Sequence, residues 1–130
     1  MPPAVQDHAI WIFPGETLWI EADFAADGTL LSARSVNEPS DPKRTLTLRF
    51  TQSPDLADGT DMMLEIAGPL DRPLKYRLGM MPLDKEALYK TSSCPVLPGT
   101  QAIEHWPFPI FQLVLTDLRL LGDGEHLTCE

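Results

Sequence analysis

In "TLTLRFTQ", Thr45 to Gln52, every second side chain is apolar: Leu46, Leu48 and Phe50 alternate with Thr45, Thr47, Arg49 and Thr51. Neighbouring side chains of a strand point to opposite faces, so a period of two suits a half-buried sheet. A helix would need apolar residues three and four apart. The same alternation runs through "TLWIEADF", with Leu18, Ile20, Ala22 and Phe24 inward and Trp19, Glu21 and Asp23 outward. "LKYRLGM" sets Leu74, Tyr76, Leu78 and Met80 against Lys75, Arg77 and Gly79, and "MMLEIAG" sets Met62, Leu64 and Ile66 against Met63, Glu65 and Ala67.

Turn chemistry punctuates these runs. Asp-Gly pairs at Asp27-Gly28, Asp58-Gly59 and Asp123-Gly124 supply the positive φ angles of tight hairpins. "NEPSDPK", Asn37 to Lys43, reads as a longer exposed loop. The 13 prolines call for short elements and many loops, because proline fits neither helix interiors nor central strands. "IFQLVLTDLRLL" breaks its own phase, with Phe111, Leu113 and Leu115 on one face and Leu118 and Leu120 on the other. A bulge near Thr116-Asp117 reconciles the two halves and lets one long strand serve two sheets. Only "PLDKEALYK" suggests a helical turn, capped by Asp84. The pattern predicts an all-β, two-sheet antiparallel sandwich of about eight strands, with an immunoglobulin-like arrangement as its leading version. It predicts one domain over residues 1–130, with residues 1–7 as an N-terminal linker.

Charge narrows the partners. The chain carries a net charge of −9, which repels phosphate backbones and argues against nucleic acid. Lys43 to Lys90 holds eight of the ten basic residues against seven acids, so the acidity lies in the flanks. No apolar run approaches the length needed to span a bilayer, and "MPPAVQDHAIW" lacks the layout of a signal peptide. Export would therefore rest on a signal or a lipid anchor encoded upstream of Met1.

The two cysteines bear on the compartment. Cys94, in "TSSCPVLPG", has three readings. A nucleophilic thiol needs a base, and His8, His105 and His126 carry no local signature of one. A metal site would recruit Cys94, His105, His126 and Cys129, whose spacing differs from the tight pairs of structural zinc sites. A Cys94–Cys129 disulfide would restrain the C-terminal tail, and it is the preferred reading; it places the domain in the periplasm or outside the cell. The acid groups Asp55, Asp58, Asp61 and Glu21, Asp23, Asp27 miss the spacing of a calcium loop, so no metal is expected. Nothing calls for a nucleotide or redox cofactor.

The tryptophans are Trp11, Trp19 and Trp106, the last in "HWPFPIF" with Phe108 and Phe111. An outward Trp19 flanked by Glu21 and Asp23 is a layout suited to sugars, the ring stacking and the acids accepting hydroxyl hydrogen bonds. The expected role is non-enzymatic: protein interaction or structural support at the cell envelope, through a sheet edge or the surface around Trp106. The competing expectation is a carbohydrate-binding module using Trp19, Glu21, Asp23 and Trp106.

Overall fold

The computed structural model describes residues 4–53, 61–82, 87–125 and 127–129. Among the described residues ten strands follow in chain order: β1 (Val5–Gln6), β2 (Ala9–Ile12), β3 (Thr17–Phe24), β4 (Leu30–Val36), β5 (Thr45–Ser53), β6 (Asp61–Ala67), β7 (Leu74–Pro82), β8 (Tyr89–Thr91), β9 (Gln101–Trp106) and β10 (Ile110–Leu120). They form two antiparallel five-stranded sheets, ordered β1-β2-β10-β7-β8 and β4-β3-β5-β6-β9. This is the expected all-β sandwich, with two strands beyond eight. β1 and β8, of two and three residues, are too short to show a period. The order differs from the A-B-E-D and C-F-G sheets of the immunoglobulin arrangement. Among the described residues no helix is long and apolar enough to cross a membrane.

The alternating runs build the core as their period dictates. Leu18 and Ile20 of β3, Leu46, Leu48 and Phe50 of β5, and Met62, Leu64 and Ile66 of β6 face Leu74, Tyr76 and Leu78 of β7 and Leu113 and Leu115 of β10. Phe50 and Trp106 meet edge to face, 6.2 Å apart. The expected linker reaches into the fold, because Val5 and Gln6 pair with Ile10 and Ala9. Asp7 and His8 form the turn between them, both at positive φ. That matches a two-residue hairpin whose central residues are left-handed.

The β3–β4 turn behaves as "ADG" suggests. Asp27 Oδ1 accepts the Thr29 amide at 2.9 Å, and Gly28 takes φ +96°. A Cβ on Gly28 would collide with the Leu120 carbonyl oxygen, so no other residue fits. The bulge expected in the last strand is present: pairing of β10 with β7 slips between Thr116 and Arg119, and Asp117 is left-handed at φ +53°. β10 stays paired with β7 beyond it, yet Leu120 N donates to Gly28 O and Arg119 bridges Thr29 of the other sheet's hairpin. An earlier slip between Ile110 and Gln112 corrects the inward assignment of Phe111. Ile110 is buried instead, and Phe111, 46% exposed, rests edge to face on Phe13. The Asp58-Gly59 turn and the Asp84 cap lie outside the described residues.

Candidate functional site

Trp19, Glu21 and Asp23 do share the outer face of β3, but the loop after β4 folds onto it. Glu21 is only 3% exposed. Its Oε1 accepts both Nε and Nη2 of Arg34, at 2.8 and 2.6 Å, and Ser40 Oγ donates to Oε2. Asp23 takes Arg44 bidentately, Nε on Oδ1 at 2.7 Å and Nη2 on Oδ2 at 2.6 Å, with Ser32 Oγ adding a third bond. Those Arg44 bonds hold the Asp23 carboxyl below the usual carboxylate range and push the guanidinium up in return. The carboxylates that a sugar would need as acceptors are thus engaged by arginines. Trp19 is half-buried, in register with Val36 on one side and Thr47 on the other.

Trp106 lies on the opposite face of the same sheet. It is 5% exposed, and its indole N–H donates to Thr91 Oγ1 at 2.9 Å, tying β9 to β8 across the sandwich. The indole itself is therefore not available to a ligand, although His105, Pro107 and Phe108 beside it are exposed. Ala102, Glu104 and Trp106 alternate inward, a pattern that the charge on Glu104 conceals in the sequence. The four residues named for a sugar site therefore do not converge.

Cys94 and Cys129 are joined by a disulfide, with Cα atoms 4.1 Å apart. Neither thiol is left for nucleophilic or metal chemistry. His105 Nε2 sits 2.8 Å from Asp61 Oδ2, so both are engaged with each other. Asp27 is committed to its own turn, and the Thr29 amide lowers its pKa. Asp55, Asp58 and His126 lie outside the described residues. Among the described residues no three His, Cys, Asp or Glu side chains gather as a metal site. Beneath the Cys94 segment, Glu104 Oε1 accepts the Cys94 amide at 3.0 Å, while burial pushes the Glu104 pKa up. Tyr76 lies close enough to feel that charge; its hydroxyl is buried and has no hydrogen-bond partner among the described residues.

Two open concavities lie at the end of the sandwich where β10 bulges. A cleft of about 410 Å³ and another of about 340 Å³ share Thr29, Leu30, Asp117 and Leu118. Lys75, Arg77 and Arg119 flank the first; Asp7 and His8 flank the second. Among the described residues, the three non-glycine residues at positive φ (Asp7, His8 and Asp117) all line this trough. Lys75 stands directly opposite Arg119 across the β7–β10 ladder. Arg77 Nε is 3.9 Å from Asp117 Oδ2, and Arg119 Nη1 donates to Glu125 at 3.0 Å. Arg72, next to the trough, is spent on structure, donating to the carbonyls of Ala26, Leu120 and Leu121. Sequence reading placed Lys75 and Arg77 outward but could not see Arg119 arriving opposite them. Compared with protein-family models, with curated proteins and with solved structures, the chain matches none.

Proposed function

We propose that the chain is a non-enzymatic protein-binding domain of an oxidising compartment outside the cytoplasm, receiving an extended partner segment along β4. The carrying observation is the state of the sheet edges. Edge strands expose unpaired amides and carbonyls, and folded proteins protect them by shortness, charge or cover. β1 and β8 are short, and the six-residue β9 carries Glu104 and His105. β4 is seven residues long, ends its sheet, bears one charged residue, Arg34, and leaves Leu31 59% exposed. Such an edge suits addition of a strand, in which main-chain bonds give affinity and alternate side chains give specificity. The Cys94–Cys129 bond supports the compartment, since structural disulfides persist where the redox poise is oxidising. The carbohydrate alternative keeps the half-exposed Trp19 but has to displace Arg34 and Arg44 from its acids.

A photo-crosslinking residue at Ser32 or Ser35, both exposed on β4, tests this in cells that make the protein natively. Irradiation should give a protein adduct of one defined mass from either position and none from Thr100, which is exposed before β9. No adduct from either β4 position, or the same adduct from all three, would overturn the reading.

A further inference from the structure

We propose that the trough at the β10 bulge is a docking site for a carboxylate-rich segment of a partner protein. In a chain of net charge −9, Lys75, Arg77 and Arg119 stand side by side on adjacent strands of one outer face. Lys75 stands opposite Arg119 in the ladder, which brings like charges together on that face. The neighbouring acids engage the two arginines only in part. Arg77 is 65% exposed and touches Asp117 at 3.9 Å, beyond a hydrogen bond, and Arg119 spends one N–H on Glu125. A guanidinium offers five donors in a fork that fits a carboxylate bidentately, so donors remain for an incoming anion.

The backbone supplies the cavity beside these cations. Bulges re-aim side chains and interrupt pairing, and they occur often beside functional sites. Here the left-handed Asp117 sits at the slip in the β10–β7 register, and the 410 Å³ cleft lies beside it. A saccharide acid would want an aromatic face as well, but the ring in this cleft's lining, Tyr76, is 1% exposed. A peptide fits better because the trough reaches Leu30, the first residue of β4. A segment laid along the β4 edge would pass its next residues over Lys75, Arg77 and Arg119. The course of the segment rests on the β4 reading; the anion site does not.

The test is fluorescence anisotropy at low ionic strength with three dye-labelled probes: an oligoglutamate peptide, its glutamine twin and an oligouronate of equal charge. The acidic protein repels anions in general, so binding of the glutamate probe would mark a local site. The glutamate peptide should bind at least about tenfold more tightly than the glutamine peptide, and the double substitution Lys75→Ala, Arg77→Ala should remove that advantage. Salt should weaken binding, as screening requires. No glutamate preference, or a preference that survives the double substitution, would overturn the proposal, as would tighter binding of the oligouronate. The two readings fail separately. Adducts at Ser32 without glutamate binding would sink the anion site alone, and glutamate binding without adducts would sink the β4 edge alone.

Discussion

Glu21 has a carboxylate that is almost dry, while its partner Arg34 reaches it from solvent with a side chain 71% exposed. Stability at such a site depends on whether the buried charge keeps its donors, because an uncompensated buried carboxylate costs far more than an exposed pair contributes. Arg34→Ala would leave Glu21 with Ser40 Oγ at 3.3 Å as its remaining side-chain donor. The expected loss is about 2 kcal/mol, of the order seen when a buried acceptor loses its partner. Arg44→Ala should move the urea midpoint far less, since Asp23 is open to water and exchanges one set of donors for another. Paired urea titrations by circular dichroism check this. Equal midpoints for the two variants would mean that water reaches Glu21, and would return that acid to the pool available to a ligand.

At the scale of elements, β9 shows how a polar residue on an inward face shapes both the fold and its pH response. Glu104 faces in, accepts the Cys94 amide, and has its pKa raised by burial, the hydrogen bond opposing that shift. The folded state therefore holds the proton more tightly than the unfolded chain. By linkage, stability falls as pH rises from about 4.5, the ordinary glutamate value, until the folded carboxyl has also ionised. Glu104→Gln keeps an acceptor for Cys94 and should flatten that fall in melting temperature; an unchanged pH profile would show that Glu104 is hydrated. The same residue explains why β9 was illegible in the sequence, its inward row reading Ala102, Glu104, Trp106. β3, β5, β6 and β7 were legible because each turns an apolar row to the core. β4 was not, since a bulge opposite Asp23 and Phe24 and an edge position leave it mostly exposed. In β10 the phase break at Thr116-Asp117 could be read, whereas the slip at Ile110 swaps one apolar residue for another and leaves no trace. Trp19 could be placed on the outer face of its strand, but the burial of Glu21 depends on Ser40 folding back from "NEPSDPK", and the Lys75–Arg119 opposition on register. Both are tertiary facts that no local period encodes.

For the whole molecule, the decisive constraint is the covalent tie between the loop after β8 and the C-terminal tail. Past β10 the chain is held at Leu121, whose amide donates to Pro73 O, and by the carbonyl bonds of Arg72. From Asp123 to Cys129 the described residues are exposed, so this tail adds little to the core. The disulfide closes a loop with a sequence separation of 35 residues, and in the chain-entropy model its effect falls mainly on the unfolded state, at about 4 kcal/mol. The double variant Cys94→Ser, Cys129→Ser should therefore keep the far-ultraviolet β signature of the oxidised protein. It should also unfold with about 3–4 kcal/mol less stability in urea, the loss expected from loop closure alone. Reductant should lower the stability of the parent to that level and leave the variant where it is. If parent and variant unfold together, the tail is held by packing rather than by the bridge, and the bond ceases to argue for an oxidising compartment. If the variant loses its β signature altogether, the bridge instead holds the β8–β9 corner, where the Cys94 amide meets Glu104 and Thr91 meets Trp106.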